Sequence, residues 1–314
     1  MRNAIIQSTG SYAPALTLPN SYFNTLLGED VSTWLESNLT IRERRWCSED
    51  ESTADLCVEA GKKALRNAGI EASALDLIIV GTDTPEHISP STASAVHYRL
   101  GAINGGAFDL NAACSSFVAG LEVASRFIRS GNDYSTILVI GGYAMSKYLN
   151  KKDKKTVSLF ADGAGAAVLT AVEGGTRGFM GAKHLTEGQY HEWMGIYSGG
   201  THSPISPQAL AHGDQYMQFT RRFPENKNVE TWTEMIRSLC LQLAIKPNDI
   251  DHYFMTQINI NSIYETMDAL NLDRRKAYTI MDRFAYTGAA CIPMAIDEAV
   301  QDGTLKKNDL KFLT

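Results

Sequence analysis

A chain of 314 residues, 44% of them hydrophobic, is long enough to bury a large core and is expected to form two similar halves. Its formal net charge of -6 argues against non-specific nucleic-acid binding and leaves only a local basic patch for docking an acidic partner. The start, "MRNAIIQSTGSYAP", is too poor in apolar residues for a signal peptide, and no run of about 18 apolar residues occurs, so the expectation is a cytoplasmic protein without a membrane span.

In chain order, "NAIIQSTGSYAP" reads as a strand closed by a turn. "ESTADLCVEAGKKALRNAG" carries Leu56, Ala60 and Leu65 at helical spacing with Gly69 as a stop, and "LDLIIVGT" follows as a short buried strand. "SPSTASAVHYRLG" predicts a helix ending at Gly101, and "GAFDLN" a strand. In "SSFVAGLEVASRFIRSG", Phe117, Leu121, Ala124 and Ile128 share one helical face, with Gly131 after the last turn. The strands "STILVIGGY" and "AGAAVLTAV" complete an alternating α/β pattern with largely buried sheets.

The plan recurs downstream. "NVETWTEMIRSLCLQLAIKPNDIDHYFMTQIN" repeats the order of helix, connection and strand, and "IMDRFAYTGAACIPMAIDEAVQDG" matches "FDLNAACSSFVAGLEVASRFIRSG". Two copies of so long a unit predict two homologous halves, residues 1–172 and 173–314, and not a solenoid. Residues 185–220, rich in Gly, Ser, Pro, His and aromatic side chains, read as a long inserted loop. "FADGAGAAVL" departs from GxGxxG and precedes a strand-like run, so it predicts no phosphate-binding loop.

The five cysteines, Cys47, Cys57, Cys114, Cys240 and Cys291, are odd in number and contain no CxxC pair, which favours reduced thiols over disulfides or a metal site. Cys114 in "AFDLNAACSSFVAG" stands between a strand and a helix. There the helix dipole and unpaired first-turn N–H groups are expected to lower its pKa and make it a nucleophile. Its small neighbours give a substrate room, and the local backbone N–H offers an oxyanion donor. A buried structural thiol is the alternative that local pattern leaves open.

Taken together, "STGSYAP", "WLESNLTIRERRW", "ADLCVEAGKKALRNAGI", "DLNAACSSF", "LFADGAGAAVL" and "AACIPMAIDEAVQDG" resemble the thiolase-fold condensing enzymes, above all the β-ketoacyl-acyl-carrier-protein synthase III branch. The resemblance runs along nearly the whole chain. It implies a thiolase-like five-layered α/β/α/β/α fold from two duplicated halves, normally dimeric. It also implies a nucleophilic Cys114 that takes an acyl group from a coenzyme A or carrier-protein thioester, with no bound cofactor and no metal.

Family members pair the cysteine with a histidine in "HQxN" and an asparagine in "GNTSAAS". Here the corresponding stretches are "FMTQIN", with Thr256 in the histidine position followed by Gln257 and Asn259, and "AYTGAAC", with Tyr286 in the asparagine position. Threonine has no titratable group near neutral pH, and a phenol is far larger than an amide, so malonyl decarboxylation is expected to be impaired. His87, His202 and His212 lie in loop-like segments from which a substitute base is conceivable; His252 faces elsewhere.

At the entrance, the resemblance sets Trp34 where the family stacks near the coenzyme A adenine, Asn38 and Lys154 where it has basic contacts, and Ser89 where it often has a bulky aromatic. Asn and Lys in place of an arginine fork weaken bidentate phosphate recognition. Arg42, Arg44, Arg45, Lys151, Lys152, Lys154 and Lys155 form a candidate dock for an acidic carrier protein. At "LKKNDLKFLT" the family continues into a strand and a Gly-rich loop bearing a second oxyanion N–H, and a protein ending there is expected to keep one donor. Three readings follow: an acyltransferase, a decarboxylative synthase with a non-standard base, or a non-catalytic subunit of a heterodimer.

Overall fold

The computed structural model describes residues 2–131, 133–174 and 177–314. A long strand, β1 (Arg2–Tyr12), leads into a ribbon of β2 (Leu16–Pro19) and β3 (Glu43–Trp46), between which lie helices α1 (Asn20–Leu27) and α2 (Ser32–Leu39). Then come α3 (Thr53–Ala68), β4 (Leu77–Gly81), α4 (Thr92–Leu100), β5 (Gly106–Leu110), α5 (Ser116–Ser130), β6 (Thr136–Ala144), the single turn α6 (Lys154–Val157) and β7 (Asp162–Glu173). The second part holds β8 (Met194–Gly195), α7 (Pro207–His212), β9 (Gln218–Phe219), α8 (Lys227–Gln242), β10 (His252–Phe254), α9 (Ile260–Ala269), α10 (Met281–Phe284), α11 (Cys291–Gln301) and β11 (Lys311–Leu313).

The main sheet has the order β1-β7-β6-β4-β5, with β4 parallel to both β5 and β6 and β7 antiparallel to its neighbours. Period-two alternation sorts its side chains. Ile78, Val80, Leu138 and Ile140 meet α3 on one face, while Leu77, Ile79, Ile137 and Val139 join the core that holds α5 and α11 on the other. On α5 the expected stripe of Phe117, Leu121, Ala124 and Ile128 is buried. Helix α3 opens on a Ser52/Asp55 capping box and stops at Gly69 in the left-handed region.

Beyond α5 and α11 lies the parallel pair β10 and β11, and α8 packs with α9 outside it. Outer helices, sheet, buried helices, second sheet and outer helices give the α/β/α/β/α layering of a thiolase fold. The segment expected to be a loop, residues 185–220, has structure of its own: β8 and β9 form a hairpin and α7 is capped by Ser206. Tyr190, Trp193 and Phe223 cluster beside that hairpin.

One buried carboxylate ties the layers together. Asp297 of α11 accepts hydrogen bonds from Thr9 Oγ1 (2.8 Å) and Ser11 Oγ (2.6 Å) of β1, Lys63 Nζ (3.1 Å) of α3 and Gln301 Nε2 (2.6 Å). Removing it strands the buried Thr9 hydroxyl and frees the partly buried Ser11 and Lys63, so Asp297→Ala is expected to cost about 3 kcal/mol, read as a lowered urea midpoint. An unchanged midpoint would contradict this role.

Candidate active site

The nucleophile position is built by a tight turn. Asn111 Oδ1 accepts from the Ala113 N–H (3.0 Å), the Ala112 N–H donates to Ser116 Oγ (2.8 Å), and Ser116 Oγ donates to the Ala113 carbonyl (2.6 Å). This forces Ala113 to φ +50°, a strained value for a residue with a Cβ, and leaves Cys114 at the head of α5. Two glycines let other elements close on that turn. A Cβ on Gly81, at the end of β4, would stand 2.8 Å from Ser116, and one on Gly141 would stand 2.2 Å from the Ala289 carbonyl oxygen.

The approach at Gly141 delivers Tyr286. Ala285 turns the chain at φ +49°, the Tyr286 N–H donates to the Leu159 carbonyl (3.2 Å), and its carbonyl accepts from the Ala161 N–H (2.9 Å). The fully buried ring packs against Phe160 (5.5 Å) and Tyr143 (6.3 Å), and its hydroxyl is hydrogen-bonded to Cys114 Sγ.

Electrostatics at the sulfur differ from the sequence expectation. Burial, then the negative charge of Asp83, push the Cys114 thiol up to about 11, outweighing the hydrogen bond from Tyr286 and its own N–H. Desolvation beats the helix dipole, because the dipole acts through partial charges while burial removes the water that would solvate a thiolate. At rest the group is a thiol.

The other site residues are placed as follows. Thr256 is stitched to Thr314, its N–H donating to that residue's carbonyl at 2.7 Å and its hydroxyl at 3.3 Å. Gln257 is buried, giving to the Tyr278 carbonyl (3.2 Å) and accepting from the Ile280 N–H (2.8 Å). Asn259 caps α9 by accepting from the Asn261 N–H (3.0 Å). Asn261 in turn reaches the Asn38 carbonyl (2.9 Å), so the start of α9 meets the end of α2.

On α2, Trp34 is 58% exposed and Asn38 Nδ2 donates to its carbonyl (3.0 Å). Lys154 pairs with Glu29 (3.1 Å), just ahead of α2, so Trp34, Asn38, Lys154 and Asn259 gather around one helix. Ser89 lies exposed in the segment after β4. His87, His202 and His212 are exposed, and His252 pairs with Asp309 (3.1 Å).

Arg44 has to be withdrawn from the basic dock. It is fully buried, stacked on Phe23 at 4.2 Å and donating to Asn20 Oδ1 (2.7 Å), and desolvation brings its pKa down to about 9. A basic residue in a strand of period two faces inward when its neighbours, here Glu43 and Arg45, face out.

Sequence reasoning missed Asp83. Its Oδ1 is shut off from solvent without a hydrogen-bond partner, and burial pushes its carboxyl up to about 6. The signal was available as an acid in "VGTDTP", directly after a strand of wholly buried residues.

The 3-oxoacyl-[acyl-carrier-protein] synthase III family model matches residues 108–188, and the C-terminal model of that synthase matches residues 240–314. A β-ketoacyl-[acyl-carrier-protein] synthase III from Caldanaerobacter subterraneus subsp. tengcongensis is 34% identical over 313 residues, covering 97% of this chain and 91% of the relative. The chain belongs to the β-ketoacyl-[acyl-carrier-protein] synthase III family. The synthase III of Clostridium perfringens is 36% identical, with 98% and 94% covered. In three dimensions the synthase III of Aquifex aeolicus VF5 superposes with a TM-score of 0.88 at 31% identity, over 99% of this chain and 95% of that one.

The hydroxyl of Tyr286 stabilises a thiolate by donating to it, so this synthase III relative should depend on it for what nucleophilicity Cys114 has. Tyr286→Phe is expected to slow iodoacetamide alkylation of Cys114 at pH 8 by roughly tenfold, since losing the donor raises the thiol pKa further. Faster alkylation would mean that the ring only obstructs the sulfur.

Proposed function

We propose that this chain is an acyltransferase of the synthase III type. Cys114 takes an acyl group from a carrier-protein or coenzyme A thioester and passes it to an acceptor in fatty-acid-like or secondary-metabolite biosynthesis, without decarboxylating malonyl. The observation that carries the reading is the Cys114–Tyr286 hydrogen bond, with a buried phenol filling the space beside the sulfur. Relatives are named as acyl-carrier-protein synthases, which supports a thioester donor.

On this reading the sulfur attacks the thioester carbonyl, the Cys114 N–H faces the developing oxyanion while the Ser115 and Ser116 N–H groups stay in the turn, and the donor thiol departs. Thr256 and Asn259 serve the scaffold, because their polar groups are taken up by Thr314 and by the first turn of α9. Trp34 offers an exposed ring for a coenzyme or pantetheine arm, Asn38 and Lys154 flank it, and the exposed Ser89 leaves the far end of the acyl site uncrowded.

An acidic carrier protein fits the exposed Lys151, Lys152, Lys154 and Lys155. The same reading takes residues 1–172 and 173–314 as duplicated halves, supported by α5 and α11 sharing the buried layer. A homodimer is supported by the edge position of β5, with the exposed Ile103 and Tyr98 ahead of it.

Incubation with acetyl-coenzyme A and with acetyl carrier protein should add one acetyl mass to the wild type and none to Cys114→Ala. A wild type that gains no acyl mass from either donor overturns the acyltransferase reading. Carbon dioxide release from malonyl carrier protein should be negligible in the wild type and should rise at least tenfold in the double variant Thr256→His with Tyr286→Asn. Brisk release by the wild type would instead favour a decarboxylative synthase with a non-standard base.

A further inference from the structure

A thiol held protonated must lose its proton as it attacks, and neither Thr256 nor Tyr286 can accept one at neutral pH. A candidate lies in the segment after β4. Thr82 is pinned to the end of β5, its N–H donating to the Leu110 carbonyl (3.1 Å). Thr84 is pinned on three sides: its N–H donates to Thr82 Oγ1 (3.0 Å), its Oγ1 accepts from the Ala144 N–H at the end of β6 (2.9 Å), and its carbonyl accepts from Thr53 Oγ1 (2.5 Å). Asp83 is therefore held by rigid neighbours on both sides, its carboxylate meeting its own N–H while its buried Oδ1 has no partner from another residue.

The same segment reaches the site through the contact of Gly81 with Ser116, two residues past Cys114. The Asp83 charge acts on both Cys114 and Tyr143. The other titratable groups of this buried cluster are the phenols of Tyr143 and Tyr286, the thiol of Cys291, and Asp162, whose carboxylate is already taken up by the Cys47 N–H (2.7 Å) and the Ser146 N–H (2.8 Å). Glu86, on the Asp83 segment, is already committed to the Ala54 N–H (3.0 Å) and Arg99 (3.5 Å). A buried carboxylate oxygen left without a partner costs stability, and a site that keeps one has a use for it.

Building on the acyltransferase reading, we propose that Asp83 is the general base of Cys114 acylation. As the S–H bond breaks, Asp83 takes the proton and the sulfur pair forms the S–C bond to the thioester carbonyl. The tetrahedral intermediate then expels the donor thiolate, and Asp83 returns the proton to that sulfur, leaving a neutral thiol, an acyl-Cys114 and a carboxylate. Hydrogen bonds at a general base tighten only once substrate is bound, which fits the free Oδ1.

The test sets two reactions of the same sulfur against each other. Iodoacetamide reads the thiolate fraction, so Asp83→Asn, which removes a repelling charge, should alkylate severalfold faster at pH 8. Acetyl loading from acetyl-coenzyme A should fall at least a hundredfold in that variant. If both rates rise, Asp83 is only a charge and the assignment fails; if loading is unchanged, it fails as well.

A second arm needs no variant. Wild-type loading should fall as pH drops through about 6, where Asp83 takes up a proton, and level off above pH 7. A rate climbing tenfold per pH unit toward 11 means attack by free thiolate and overturns the assignment even if Asp83→Asn fails to fold. A wild type that alkylates but never loads overturns the acyltransferase reading and this one with it, whereas wild-type loading that climbs without levelling overturns this one alone.

Discussion

The close approach of three backbone segments at Gly81 and Gly141 is the constraint from which the site follows. Neither position tolerates a Cβ, because Ser116 and the Ala289 carbonyl already occupy that space. With those contacts closed, the turn before α5 and the turn after α10 have nowhere to diverge, and Cys114 meets the phenol of Tyr286 in the buried layer between the two sheets. The strain at Ala113 and Ala285, both at positive φ, is held by that packing and by the hydrogen bonds of Asn111, Ser116 and Leu159.

Burial then decides the chemistry. Among the described residues, those that act on the sulfur are neutral or negative: Asp83, Tyr286 and its own N–H. A shift to about 11 leaves the thiolate a very minor species at neutral pH, so reactivity must come from groups that act during the attack. The usual histidine would supply that service. Here its place is taken by a threonine whose hydroxyl and N–H both bond the Thr314 carbonyl, just past β11.

Much of this was legible in the sequence, for identifiable reasons. The α/β alternation and helices α3, α4 and α5 follow from apolar periodicity and glycine stops, while the five-layered fold and the places of Cys114 and Tyr286 follow from the resemblance of their motifs to a family. What escaped were properties that depend on three-dimensional surroundings. The Cys114 pKa is set by desolvation, which no local pattern encodes. Arg44 reads as surface charge until the alternation of β3 and its stacking on Phe23 show it inside. The hairpin within residues 185–220 is built from two-residue strands, too short for any period to register.

Asp83 illustrates the same limit from the other side. In sequence it is one acid among many in a Thr-rich turn; in the fold, Thr82 and Thr84 spend their hydrogen bonds on the ends of β5, β6 and α3 and leave the Oδ1 of the residue between them without a partner. A carboxylate without a partner raises the thiol pKa, which at first sight works against a nucleophile. The two effects agree once the resting and reacting states are separated: a thiol kept protonated by burial and by the Asp83 charge is a poor target for stray electrophiles and oxidants, whereas on the proposed assignment that same carboxylate receives its proton when a thioester carbonyl arrives. A site arranged in this way trades standing thiolate for selectivity toward acyl donors that reach Cys114.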